Sequence, residues 1–393
     1  MIRELYRSSV QNKDISTFKS ILDKNKNINI NYIFSEYQRT LLHTLCILNE
    51  VDMVRLLLTH PNTKDRININ ILDELEDTPL AIACDRGYIE IVKLLLENPD
   101  VNKNDYMSLG LITSIESFNF DITKLLLSLP DININYSFHD VKNPISILVN
   151  HIHNKLEEKV EKEAFDILID IVSRPDIDFK FYPDILFSIG SIIDYDSKFK
   201  DIYEKLVFNP EVDINYKFRN NRTALITACH LKSEYRIKLL LSNPKIDVNL
   251  VDEDGNTAFH ILCQKASSID KNNINYYIEL FNLFINQKSL HKNIKNKKNH
   301  TILDTYIISN YTFDKDKDKS YLKIISLLLK NNFNFSETIV ILIMEGTLNK
   351  KNNYLKDFWN TIKQNLKDVS DVIEENKSDR LNTVMSIVNS IKE

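Results

Sequence analysis

The prolines of this chain obey one positional rule. Six of the nine, Pro61, Pro99, Pro130, Pro175, Pro210 and Pro244, stand five residues after the start of a mostly apolar triplet. That triplet reads Leu-Leu-Leu from Leu56, from Leu94 and from Leu239. The other three, Pro79, Pro144 and Pro183, are expected one residue into a new helix. Proline has no N–H to donate, so it belongs just beyond a helix end or in a first turn. A rule kept by nine residues across 393 means an internal repeat, and repeats of this length build stacked helical arrays.

The four cysteines keep the same phase. Cys46, Cys84, Cys229 and Cys263 each follow a threonine by six residues: Thr40, Thr78, Thr223 and Thr257. From the first three threonines to the next leucine triplet is sixteen residues, and Leu109 to Leu125 repeats that interval. The predicted unit is a turn, a short helix, a second helix ending in the leucines, then Asn-Pro and a run of Asp, Ile and Asn. Each unit buries its apolar face only on the next, so the chain need not divide as a globular protein of its length would.

Composition narrows the function classes. The chain has only five glycines, and no phosphate-binding loop, nucleophile elbow or Ser/His/Asp order is recognisable. No enzyme activity and no cofactor are therefore expected. A net charge of −5 is too small to imply nucleic acid or an anionic membrane as partner. The longest apolar run, residues 339–344, is far too short to span a bilayer. The first seven residues, Met1 to Arg7, hold no apolar signal segment, so a cytoplasmic location is expected, with the nucleus as the other choice.

Residues 77–87, Asp-Thr-Pro-Leu-Ala-Ile-Ala-Cys-Asp-Arg-Gly, followed by Ile91-Val92-Lys93-Leu94-Leu95-Leu96, resemble the ankyrin repeat family. Thr40-Leu41-Leu42-His43, Thr223-Ala224-Leu225 and Thr257-Ala258-Phe259-His260 are further copies in register. Two departures stand out: proline replaces the glycine usual after the second helix, and several repeats are long. The resemblance implies an all-α solenoid of helix-turn-helix units with short β-hairpin-like fingers. Its expected parts are a capping half-repeat over 1–38, about eight repeats over 39–337, and a degenerate repeat with a helical cap over 338–393. Repeats should begin near Thr40, Thr78, Leu109, Asn143, Tyr182, Thr223, Thr257 and Thr301, with insertions near 151–161, 267–276 and 310–320 expected as loops. Leu355, Trp359, Ile362, Leu366, Val369 and Ile373 form a short heptad-like stripe, expected to cap the array; its alternative is a dimerising helix.

Several clusters could be read as metal sites. His43-x-x-Cys46 and His260-x-x-Cys263 place two ligand types on one helix face. They lie six repeats apart, about 60 Å at one helix diameter per step, so they cannot close on one ion. The resemblance gives both residues structural work, with the histidine tying neighbouring turns and the cysteine filling a small apolar slot. His151-x-His153, with His139 nearby, is expected in a solvated loop, as are Lys288, Lys292, Lys295, Lys297 and Lys298. No metal site is expected.

The turns between repeats carry the candidate contact residues. Tyr32 and Phe34, Tyr136 and Phe138, and Tyr216 and Phe218 recur as Asn-Tyr-x-Phe, and residues two apart on an extended finger share a side. The resemblance places such fingers on the concave binding face. Either these aromatics contact a protein partner, or they pack finger against finger. The function expected is a non-catalytic protein-interaction scaffold, working as a monomer. The alternatives are self-assembly or tethering through the C-terminal helices, and substrate recruitment within an enzyme complex.

Overall fold

A computed structural model describes residues 4–7, 12–33, 37–101, 106–138, 142–154, 158–193, 197–266, 273–310, 321–334 and 336. Phe34, His139 and the expected C-terminal cap lie outside these residues, as do 267–272 and 311–320 of the two later insertions. The chain forms two compact units, Met1–Pro183 with Ser191–Ile202, and Asp184–Gly190 with Tyr203–Glu393.

In the first unit, inner helices α2 (Leu41–Ile47), α4 (Pro79–Asp85), α6 (Tyr106–Glu116) and α8 (Pro144–His153) pack in one row, each on the next. Helices α1 (Ile15–Lys24), α3 (Val51–Thr59), α5 (Ile89–Leu96), α7 (Phe120–Leu127) and α9 (Glu158–Val172) form the outer row. Helices α10 (Ile185–Ile192) and α11 (Ser197–Phe208) contribute residues to both units. In the second unit, inner helices α12 (Ala224–His230), α14 (Ala258–Lys265) and α16 (Ile302–Asn310) pack in turn. Outer helices α13 (Glu234–Ser242), α15 (Ile274–Ile285) and α17 (Tyr321–Lys330) accompany them.

The sequence rules have local causes. Thr78 Oγ1 accepts the Ala81 N–H at 3.0 Å, and Thr223 does the same for Ile226 at 3.3 Å, so the recurrent threonine is the helix N-cap. Pro79 and Pro144 occupy the first helical position, where no donor is missed. Pro183 departs from the expectation: it lies in the turn two residues ahead of α10. Leu109 also differs from the threonines it matches in spacing. It lies inside α6, because no cap residue stops the helix there and Met107, Leu109 and Leu111 are all buried.

The long fourth repeat corrects the expectation of a loop over 151–161. His151 to His153 complete α8, and α9 opens at Glu158 and runs for 15 residues. Ile152, Ala164, Ile167, Leu168 and Ile171 keep helical spacing and are buried, so much of the extra length is used as helix.

Asparagine side chains set the register between repeats. Asn31 Nδ2 donates to the Arg66 carbonyl at 2.9 Å while its Oδ1 accepts the Asn68 N–H at 2.8 Å. Asn135 holds Asp176 and Asp178 this way, Asn215 holds Lys245 and Asp247, and Asn249 holds Ser289 and His291. The residue before each clamp, Ile30, Ile134, Ile214 or Val248, is buried, so one dipeptide supplies both packing and register. A second ladder joins outer helices. Asn62, Arg174, Asn243 and Gln287 donate to carbonyls of Leu22, Leu127, Val207 and Leu241 near the end of the preceding outer helix, where carbonyls run out of intrahelical donors.

The turns between repeats form tight fingers. Among the described residues no strand occurs; the fingers are closed by backbone bonds between positions four apart. Examples are Asp73 to Asp77, Phe138 to Lys142, Phe218 to Arg222, Asp252 to Asn256 and Asn296 to His300. The residue two before the cap position takes a left-handed conformation at Gln38, Glu76, Asn221, Gly255 and Asn299. A Cβ on Gly255 would come within 2.9 Å of the Lys297 backbone nitrogen, where the next finger leans on this one.

Two outcomes follow for stability. Gly255→Ala should destabilise the second unit by about 1–3 kcal/mol in urea denaturation, from the left-handed backbone and the close neighbour together. Asn215→Ala should cost about 1–2 kcal/mol, and Asn215→Asp at least as much, since a carboxylate cannot donate to the Lys245 carbonyl.

Candidate functional site

The histidines next to threonine caps are tied into the fold, as the resemblance implied. Thr40 N–H and Oγ1 both lie on His43 Nδ1, at 3.2 and 2.8 Å. Nδ1 is therefore the acceptor, and Nε2 donates to the Asp77 carbonyl of the following finger at 3.3 Å. His260 repeats this geometry with Thr257 and the His300 carbonyl. Burial holds His260 down at about 4, against the pull of the His300 carbonyl, Asp252 and Asp304. In the last described repeat, Asp304 takes the histidine's place and accepts the Ser336 N–H at 3.0 Å.

All four cysteines are free and fully buried, and burial raises each thiol well above its ordinary value. Gly110 shows how small their slot is: a Cβ there would stand 3.2 Å from Cys84 Sγ, so glycine lets α6 close on α4. His151 and His153 are helical residues with partners. His151 Nε2 meets the Ile115 carbonyl at 3.0 Å and its ring packs on Phe118 at 4.3 Å, while His153 Nε2 meets Ser191 Oγ at 2.8 Å.

The finger aromatics divide by environment. Tyr32 is 44% exposed. Tyr136, Phe138 and Tyr216 are half-buried, and the Phe138 backbone closes its finger onto Lys142. Phe218 packs against Phe187 at 5.1 Å, with the Arg219 guanidinium 5.4 Å from its ring. In the variant copy, Tyr182 is buried with its hydroxyl donating to the Ile134 carbonyl, while Phe181 is 51% exposed.

Sequence reasoning missed a more exposed cluster on the first two fingers. The Glu74 N–H donates to the Tyr37 carbonyl at 2.9 Å, which brings the two tips together. Tyr37 is 55% exposed, Leu75 62% and Leu72 39%. Beneath them, the buried Asp73 holds the tip: its Oδ1 accepts the N–H groups of Leu75 and Asp77, and its Oδ2 pairs with Arg39 at 2.9 Å. The signal in the sequence was a leucine between two glutamates at a turn tip. Asp77 is raised to about 6, first by burial, then by Asp73, Asp85 and Glu116, with Arg39 opposing.

A cleft of about 410 Å³ also opens in the first unit, among the Gly87 turn, the start of α7 and the start of α9. Its lining mixes Phe118 and Phe120 with Asp121, Lys159 and Glu163, and Phe118 holds a left-handed backbone at its edge.

His260 makes a testable switch in stability. Its folded value lies below the unfolded one, so the folded state resists protonation and stability is lost as pH falls from about 6.5 towards 4. The loss should reach about 3 kcal/mol at most, and urea denaturation at pH 7 and pH 5 should show less acid sensitivity in His260→Gln than in the native chain.

A comparison with family models agrees with this geometry over the first part of the chain. Three copies of a family model described as ankyrin repeats match residues 7–105 and 65–138. A solved structure titled as EF0377, an ankyrin repeat protein, aligns at 19% identity with a TM-score of 0.35, covering 62% of this chain and 98% of that one. No curated protein matches. Residues 7–138 thus match ankyrin repeats, and the same caps, clamps and fingers recur as far as Thr301.

Proposed function

We propose that this protein is a non-catalytic adaptor that holds a protein partner against the fingers and inner helices of its first unit. Ankyrin repeats are in general protein-interaction modules, and their fold leaves the finger tips free to vary while clamps and caps hold the register. The observation that carries the reading is the run of exposed apolar side chains on the first two fingers: Tyr32, Ile33, Tyr37, Leu72 and Leu75, each at least 39% exposed. Apolar exposure concentrated in one place marks an interaction site more often than scattered residues do. The register locks use other side chains, so these residues are available for contact at little cost to the fold. A monomeric, cytoplasmic adaptor without a cofactor fits this reading.

The test is affinity capture with identification of what is retained. A partner held by the native chain should be lost by Tyr32→Ser/Tyr37→Ser, at a melting temperature within 1–2 °C of native, since substitutions of exposed residues change stability little. The same capture with Tyr136→Ser/Tyr216→Ser asks whether the half-buried tyrosines belong to the contact. Retention by every variant would remove the finger face as the site.

A further inference from the structure

We propose that Arg222 and His230, at the two ends of α12, form a seat for an acidic segment of a protein partner. A carboxylate binds Arg222, and His230 donates a further hydrogen bond to the same segment. The seat lies wholly in the second unit, so it stands or falls apart from the finger cluster of the first.

Two arginines in equivalent places behave differently. Arg39 and Arg222 each stand immediately before a cap threonine, Thr40 or Thr223. Each is followed one repeat later by a finger aspartate, Asp73 or Asp252, whose Oδ1 accepts two N–H groups of its own turn. In the first unit the pair is closed, with Arg39 Nε 2.9 Å from Asp73 Oδ2. In the second it is open: Arg222 Nε is buried without a hydrogen-bond partner among the described residues. The sequence supplies a cause. Asp77 adds a second carboxylate to the field of Arg39, whereas Asn256 holds that place in the second unit and accepts a bond from Asn296.

His230, the last residue of α12, is the second unmet group. Its Nε2 is also buried without a partner among the described residues. Burial pulls its ring below the ordinary histidine range, helped by Arg222 and Lys265 and opposed by Asp252. The charge here is mixed, so hydrogen-bond polarity selects the ligand. A guanidinium can only donate, and a neutral imidazole can carry its hydrogen on Nε2. Buried donors without acceptors are costly to a fold, and a carboxylate offsets that cost better than a neutral oxygen. Both side chains are half-buried as a whole, so a small rotation brings either nitrogen to a ligand. Leu231, 59% exposed beside His230, gives the segment an apolar contact next to its acid.

The experiment uses the full chain and a short fluorescent peptide alternating Glu and Leu. Controls carry Gln or Lys in place of Glu. The native chain should bind the Glu/Leu peptide and neither control. Arg222→Gln should weaken binding about tenfold and His230→Ala about threefold, while Arg39→Gln should leave it unchanged. Stability should respond the other way round. Urea denaturation should show a loss in Arg39→Gln, where Asp73 loses its cation, and native stability or better in Arg222→Gln. A loss in Arg222→Gln as large as in Arg39→Gln would assign Arg222 to folding and overturn the proposal. So would equal binding of the Gln/Leu peptide, native affinity in Arg222→Gln, or no binding of the Glu/Leu peptide at all. None of these outcomes bears on capture through Tyr32 and Tyr37, which tests the adaptor reading by itself.

Discussion

A primary amide bridging a carbonyl and an N–H two residues apart is the interaction on which this fold turns. Apolar packing between neighbouring repeats is strong but nearly indifferent to small slides, since one leucine face fits another at several offsets. The clamps of Asn31, Asn135, Asn215 and Asn249 are not indifferent. Each needs an acceptor and a donor at a set spacing in the next repeat, and a one-residue slip loses both. Hydrophobic burial thus holds the repeats together, and the amides choose where. Lys180 stands in this slot after the fourth repeat, where an ammonium can donate but cannot accept.

The fingers show how a rigid array leaves room for variation. Their bases are pinned by Asp73, Asp252 and Asn296, each accepting N–H groups from within its own turn. Each tip then meets its neighbour through a backbone bond, as from the Glu74 N–H to the Tyr37 carbonyl, and must also hold its left-handed position. Gly255 answers that demand in the least costly way and lets the neighbouring finger approach. Gln38 and Glu76 answer it with side chains instead, which places polar groups beside Tyr37 and Leu75. One backbone requirement therefore serves packing in one unit and surface chemistry in the other.

Much of this was legible in the sequence because it was periodic. Thr40, Thr78, Thr223 and Thr257 announced caps, the leucine triplets announced outer helices, and the cysteines announced a small buried slot. The asparagine clamps were visible as letters but not as interactions, since their partners lie 30 to 43 residues away. Charged residues hid the extension of α8 and α9: His153, Glu158, Lys159 and Glu161 looked like a solvated loop, while Ile152 and Ala164 kept the helical face. Leu75 escaped notice because no period predicts a residue whose role is to break the pattern. The Asn-Tyr-x-Phe motif drew attention for its aromatics, yet its asparagine is the member with the clearest structural task.

The exchange of histidine for aspartate at the last described inner helix gives the array a grammar. His43 and His260 each offer a hydrogen to the repeat that follows, so their neighbour must present a carbonyl. Asp304 offers only lone pairs, and its neighbour must present an amide hydrogen, which Ser336 does. Repeats that look interchangeable by their leucines are therefore not interchangeable by their ends. A shuffled chain that set Asp304 before a turn built for His260 would bring two acceptors face to face, so the order of the repeats is written into the polarity of single atoms.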